Sequence, residues 1–339
     1  MSKESINLSR RALLRNTALI GAASVFGAPA FVGAASPMRI TFGHGAAPGN
    51  PRSVAAEKFA ELVKEKSGGA LEVTVAGSAQ LGDDAAMLTS LRTGSLAISA
   101  NSQGTTSALV PELAAFGLPF LFADSASGIK VLTGSVGDQL KPKFDAIGVV
   151  PIGWWDNGIR HITNSRRPIQ VPDDLKGLKI RTPSDPATID IFQALGAATA
   201  QIAFAELYVA LQQGVVDGQE NPLTNIASSK LYEVNKFISL SAHKWECTPV
   251  LMSKMAWNRL DKKGQEVVMA AMAEASALQL GLVNAATDEL LAQFKANPAV
   301  VINEVDRAAF RKQTASVFDK WQDKPFGAFV KDLRATMGA

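Results

Sequence analysis

Apolar positions repeat with two different periods along the chain, and the two alternate. Arg39 to Phe42 and Leu71 to Ala76 carry an apolar side chain at every second residue, the period of a half-buried strand. Asn50-Pro51 reads as a helix start, with an amide to cap the first turn and a proline whose missing N–H costs nothing there. Phe59, Leu62 and Val63 then share one helical face until Gly68-Gly69 ends it. Asp83-Asp84 opens a second helix with acidic side chains at its positive end, and Gly94 closes it. Leu96 to Ala100, Val149 to Trp155, Leu178 to Thr182 and Ala198 to Ile202 are the next strand candidates. Phe204, Leu207, Tyr208 and Leu211 fall at i, i+3, i+4 and i+7, an amphipathic helix that stops at Gly214. The alternation predicts an α/β protein with largely parallel sheets.

The last third changes character. From Asp261 to about Ala296 there is no proline and only Gly264 and Gly281, while Val268, Met272 and Ala275 keep helical spacing. A helix of that length is about 50 Å long, more than one domain needs. It either runs along two domains or breaks at Gly281. No Gly/Ser- or Pro-rich linker divides the chain, so two lobes would be joined by chain crossing between them more than once. No internal repeat or low-complexity segment is visible.

The length of 339 residues suits about two domains of roughly 150 residues. Hydrophobic residues make up 47% and charged residues 19%, enough for a sizeable core and incompatible with disorder. The net charge of +3 suggests an anionic partner only until its location is considered. Residues 1–35 hold Lys3, Arg10, Arg11 and Arg15 against Glu4. Taking these from totals of 34 basic and 31 acidic residues leaves 30 of each, so nothing points to a nucleic-acid partner. Cys247 is the only cysteine, which excludes intrachain disulfides and thiolate metal clusters. His44, His161 and His243 are far apart, so no metal site is expected.

The first 35 residues read as an export signal. Ser9-Arg10-Arg11-Ala12-Leu13-Leu14-Arg15 precedes an apolar run from Ala18 to about Val32, and Gly33-Ala34-Ala35 supplies small residues for cleavage. Paired arginines before an Ala/Gly-rich segment look like a twin-arginine signal. The alternative is a membrane anchor. The run is only about 15 residues, diluted by Gly21, Gly27 and Pro29, and is too short for a hydrocarbon core of ~30 Å. A soluble, periplasmic mature chain is expected.

Catalytic signatures are scarce. Gly43-x-Gly45-x-x-Pro48-Gly49 has the outline of a dinucleotide fingerprint, but proline stands where helix packing needs glycine, so a plain strand-to-helix turn is expected and no cofactor. Asp83-Asp84 and Asp173-Asp174 are carboxylate pairs at helix starts, where capping is their expected role. His243 near Cys247 lacks any oxyanion motif, so no enzyme is expected. What remains are arginines and aromatics near strand ends: Trp154-Trp155-Asp156-Asn157-Gly158-Ile159-Arg160, and Arg181-Thr182-Pro183. Ligands of open α/β sheets bind beyond the carboxyl ends of strands, and a guanidinium matches a carboxylate bidentately. Each arginine alone would pass for a surface ion pair. Together, in an exported chain without a catalytic set, they favour an anion receptor.

The run Pro172-Asp173-Asp174-Leu175-Lys176-Gly177-Leu178-Lys179-Ile180-Arg181 resembles the signature of DctP-type solute-binding proteins of tripartite ATP-independent periplasmic (TRAP) transporters. Phe204 to Gln212, Gly214 to Pro222, Gln80 to Asp84 and Leu118 to Phe122 fit the same family in order and spacing. The resemblance implies a Venus-flytrap fold of two α/β lobes with crossing strands and a long interdomain helix. It places lobe 1 at residues 36–157 plus 247–286 and lobe 2 at 158–246 plus 287–339. It puts the main carboxylate-binding arginine on Arg181, a supporting arginine on Arg160, the pocket asparagine on Asn221 and an aromatic wall on Phe204. Gly45, Asp84 and Ser102 take positions that face ligand in some members. Trp154, Trp155 and Trp245 are candidate apolar walls, with core packing the alternative for each. Sialate receptors of the family carry Asn and Glu where this chain has Gly45 and Ser102. A plainer organic acid is therefore expected, with a sugar acid of the uronate or aldonate type as the alternative. The implied partners are the small and large TRAP membrane subunits around a monomeric receptor. A solute sensor for a membrane signalling protein would share the same pocket.

Overall fold

The computed structural model describes residues 36–337, so the expected export signal lies outside the described residues. Among the described residues nine strands form one sheet: β1 Met38–His44, β2 Leu71–Ala76, β3 Ile98–Ala100, β4 Val149–Asn164, β5 Lys179–Thr182, β6 Ala198–Gln201, β7 Gly218–Asn221, β8 Phe237–Ser253 and β9 Val301–Glu304. Their order is β2-β1-β3-β8-β4-β7-β5-β6, with β9 beside β8. β1 pairs in parallel with β2 and β3, and β5 with β6 and β7. The sheet is nevertheless mixed rather than largely parallel. β4 and β8 are 16 and 17 residues long, run antiparallel along their whole length, and carry the parallel strands of one lobe at one end and those of the other at the opposite end.

Local signals at the helix ends act as read. Asn50 caps the helix Pro51–Lys66 through its side chain, and Asp83 caps Asp84–Thr93. Gly94 ends the latter at φ 77°, a left-handed conformation that a side chain would oppose. Asp261 caps Lys262–Ala296, a continuous helix of 35 residues that does not break at Gly281. Val268, Met272 and Ala275 of this helix pack with Ile40, Phe42, Phe59 and Trp155, while Phe294 packs with Leu207, Leu223 and Ile238 at its other end. It therefore runs along both lobes. Midway, Gln279 grips the strand crossing, accepting from Asp156 N at 2.9 Å and donating to Asp156 O at 2.7 Å.

The expected helix from Phe204 is shorter than its apolar spacing suggests. It is a 3-10 turn, Phe204–Glu206, running into the α-helix Leu207–Gln212, with Leu207 and Leu211 buried. Asp173-Asp174 lies in a 3-10 turn, Pro172–Leu175, where Asp174 Oδ2 accepts from Gln170 N and Val171 N. Three register shifts interrupt the β4–β8 ladder, between Pro151 and Gly153, Asp156 and Gly158, and Arg160 and Ile162. The middle one contains Gly158 at φ 107°. Such bulges bend a strand and re-aim side chains, and these lie where the two lobes meet.

Candidate functional site

The parallel strands of both lobes point their carboxyl ends at one cavity of about 170 Å3. Gly45 follows β1 and Ser102 follows β3 on the first lobe. Arg181 lies in β5, Phe204 just beyond β6, and Asn221 ends β7 on the second. The crossing strands supply the floor, with Asn157 and Arg160 from β4 and Glu246 from β8.

The three arginines that line this cavity are in different electrostatic situations. Arg160 is buried and fully engaged. It forms a bidentate pair with Glu220 through Nε and through Nη2 (2.6 Å to Oε1), and its Nη1 donates to Glu246 Oε2 at 2.9 Å. Burial opposes its charge, but Glu220 and Glu246 outweigh that and hold its pKa above the ordinary value. The same pair holds Glu220 well below the usual carboxylate range despite its burial. Lys244 extends the cluster, donating to Asp185 Oδ2 at 2.6 Å and Glu246 Oε1 at 2.7 Å.

Arg181 is 3% exposed and has no such counterion. Its Nε donates to Ile202 O at 2.8 Å, and its guanidinium carbon lies 6.0 Å from the Phe204 ring centre. Among the described residues no carboxylate comes within 4.0 Å of it. Burial therefore pulls its pKa down to about 10, only partly offset by Glu220. A buried cation without a partner is costly, and its free Nη groups face the cavity.

Arg52, in the first turn of Pro51–Lys66, is the third. Its Nη2 donates to Asn157 Oδ1 at 3.1 Å and to Thr248 Oγ1 at 2.7 Å, and no carboxylate pairs with it among the described residues. Burial lowers its pKa as well. Arg52 was not among the residues the sequence singled out. A local signal existed: a cation in the first turn of a helix opposes the helix dipole, a conflict that often marks a functional position.

The other expected site residues separate into two groups. Asp84, Ser102, Phe204 and Asn221 line the cavity. Asp84 Oδ2 accepts from Ser102 N at 2.7 Å. Asn221 Oδ1 accepts from Asn225 Nδ2 at 3.1 Å, and Asn225 also donates to Asn157. Asn50 Nδ2 reaches across the cleft to Asn225 Oδ1 at 3.0 Å. Trp155 requires a correction. It is fully buried, 5.8 Å from the Phe42 ring, with its indole N–H on Ser276 Oγ at 3.1 Å. The bulge between Asp156 and Gly158 breaks strand alternation, so Trp155 enters the core while Asn157, two residues on, faces the cavity. Besides Arg52, the sequence reading did not single out Asn225 or Glu246.

Known proteins resemble the chain over most of its length. The family model for bacterial extracellular solute-binding proteins, family 7 (DctP), matches residues 42–324. The chain is 60% identical over 311 residues to an uncharacterized protein of Sinorhizobium fredii, covering 91% of this chain but only 57% of that longer relative. It is 33% identical over 293 residues to the 2,3-diketo-L-gulonate-binding periplasmic protein YiaO of Escherichia coli, covering 85% of this chain and 89% of that one. Its fold is similar to the crystal structure of the sugar acid binding protein DctPAm of Advenella mimigardefordensis in complex with galactonate. The TM-score is 0.87 at 33% identity, covering 89% of this chain and 98% of that one.

Proposed function

Because this chain belongs to family 7 of the bacterial extracellular solute-binding proteins, whose members bind solutes rather than transform them, we propose that it is the periplasmic receptor of a TRAP transporter. In this reading it captures an organic acid through Arg181 and delivers it, as a monomer, to the small and large membrane subunits. The observation that carries the reading is the Arg181 guanidinium, buried at the cavity wall without a carboxylate partner. A ligand carboxylate supplies the missing counter-charge and accepts from both Nη groups at once. Arg160 supports it indirectly, held beneath the site by Glu220 and Glu246. Phe204 walls the guanidinium, and Asp84, Ser102 and Asn221 offer polar contacts.

The cavity wall favours a sugar acid over a plain one. Asn157, Asn221, Asn225, Asp84 and Glu246 offer both acceptors and donors, which a hydroxylated chain can match and an alkyl chain cannot. The relatives bind 2,3-diketo-L-gulonate and galactonate, which agrees with that reading. Residues 36–157 with 247–286 and residues 158–246 with 287–339 serve as the two lobes that close on the ligand, and residues 1–35 direct export through the twin-arginine route.

A thermal-shift screen of organic and sugar acids tests the proposal, followed by calorimetry of the best acid against its amide. The acid raises the melting temperature and binds. The amide leaves the guanidinium donors unpaired and binds at least tenfold more weakly, since an unsatisfied buried group costs ~1–3 kcal/mol. Equal affinity for acid and amide rules out the carboxylate clamp.

A further inference from the structure

Two residues of the first lobe face the same cavity with unused hydrogen-bonding capacity of opposite kind. Arg52 spends both Nη2 hydrogens on Asn157 Oδ1 and Thr248 Oγ1, which fixes the plane of the guanidinium. Its Nε and Nη1 have no hydrogen-bond partner among the described residues. Asp84 is anchored through Oδ2 by Ser102 N, and its Oδ1 has no hydrogen-bond partner among the described residues either. Gly45, which also lines the cavity, lies beside this oxygen: a Cβ added there would stand at an ordinary contact distance of 3.7 Å from Asp84 Oδ1.

The two charges attract, and Asp84 is the strongest favourable influence on Arg52. Yet no oxygen of Asp84 comes within 4.0 Å of an Arg52 nitrogen, because each side chain is held by other partners. A donor and an acceptor that line one cavity without touching select the group that fits between them. A second carboxylate would meet the Asp84 charge. An ammonium would meet Arg52. A methylene would strip water from both and satisfy neither. A hydroxyl accepts from the guanidinium and donates to the carboxylate in one step. Resting on the reading of Arg181 as carboxylate clamp, we propose that Arg52 and Asp84 form a hydroxyl-reading pair, so that the ligand is an acid with a hydroxyl remote from its carboxylate. Because Arg181 lies on the other lobe, one hydroxy acid would contact both lobes, and its length would decide whether they can close on it.

Calorimetry with aldonates of four to six carbons on the wild-type protein selects the probe. The tightest aldonate is then titrated into Arg52→Gln, Asp84→Asn and the double variant, and each unliganded protein is melted. Each single change should lower affinity about tenfold or more, and the double variant should lose little beyond the worse single, because both lose the same bridging hydroxyl. The unliganded melting temperatures should show a smaller coupling, that of two charges that attract without touching. Arg52→Lys should also lose affinity, because a single ammonium cannot keep the Asn157 and Thr248 contacts and still reach the hydroxyl. Losses under threefold, losses that simply multiply, or coupling equally present in the unliganded protein overturn the pair. If no acid binds the wild type at all, the Arg181 reading has failed, and that is told apart by the first titration.

Discussion

Arg160 and Glu220 form a bidentate ion pair inside the sheet, with Nη2 donating to Oε1 over 2.6 Å and Nε to Oε2, both side chains almost wholly buried. The pair joins β4 to β7, and Glu246 and Lys244 carry it into β8. Breaking one side of such a pair strands a charge in the interior, at a cost of ~3–5 kcal/mol. Glu220→Ala should therefore lower the unliganded stability by that amount in chemical denaturation. A variant as stable as wild type would show that the cluster is solvated in solution.

Arg181 should divide its effects the other way. Its Nη groups bond to no carboxylate among the described residues, so Arg181→Ala relieves a desolvated cation while losing the Ile202 hydrogen bond and the Phe204 contact, and the unliganded melting temperature stays nearly unchanged. Ligand affinity should fall by roughly 30-fold to several-thousand-fold, the ~2–5 kcal/mol of a buried charge pair losing one partner. Arg181→Lys should also fail substantially, because a point-charge ammonium cannot reproduce the fork. Paired calorimetry and thermal unfolding decide. Wild-type affinity in Arg181→Ala, or strong destabilisation without ligand, would show that Arg181 is not the clamp.

The features legible in the sequence are those fixed within a few residues. Asn50, Asp83 and Asp261 cap their helices by contacts two or three residues along the chain, and the sequence shows those contacts directly. The long crossing strands were not legible in the same way. β8 buries Ser239, Ser241, His243, Lys244 and Glu246, a pattern that alternation alone reads as surface. Three of them find partners far away in sequence, Ser239 on Asn303, Lys244 on Asp185 and Glu246 on Arg160, while Ser241 pairs with His243 two residues on. The same limit explains the site. Arg181 stands out because it lies at the end of a strand, and Phe204 through the family resemblance, whereas Arg52 acquires its partners when Asn157 and Thr248 arrive from β4 and β8. Trp155 goes to the core rather than the cavity because the bulge that follows it, invisible in the residue pattern, reverses side-chain parity.

Acid should weaken the fold between pH 6.5 and 4. His44, whose Nδ1 accepts from Ala46 N, is held by burial and by Arg52 down to about 4, and His161 by burial down to about 3. In the unfolded chain both take up protons near 6.5, so below that pH the unfolded state binds more protons and stability is lost as pH falls. Asp156 works in the opposite sense. Burial lifts it from 3.8 to about 6, so between those values the folded state keeps a proton that the unfolded state has released. His243, buried beside Glu220, is lowered as well, so three histidines stand against one aspartate and stability is lost as pH falls through 5. Urea unfolding from pH 6.5 to 4.5 measures it. His44→Gln should flatten the slope and Asp156→Asn should steepen it. A slope unaffected by either would place the acid sensitivity elsewhere.

Trp155 and Phe204 should separate fold from binding. Trp155 packs in the core with Phe42 and donates its indole N–H to Ser276, and no edge of it lines the cavity. Trp155→Ala removes a large buried side chain and should cost ~3–5 kcal/mol of stability, with the affinity of the remaining folded protein within about threefold of wild type. Phe204 lies at the cavity wall beside the Arg181 guanidinium and only partly in the core. Phe204→Ala should cost less stability, while admitting water to the guanidinium and weakening the carboxylate contact by about tenfold. The two variants, each melted without ligand and titrated with the same acid, give opposite patterns if the bulge at Asp156 to Gly158 has turned the tryptophan away from the ligand. An affinity loss in Trp155→Ala as large as in Phe204→Ala would mean that the indole reaches the ligand after all.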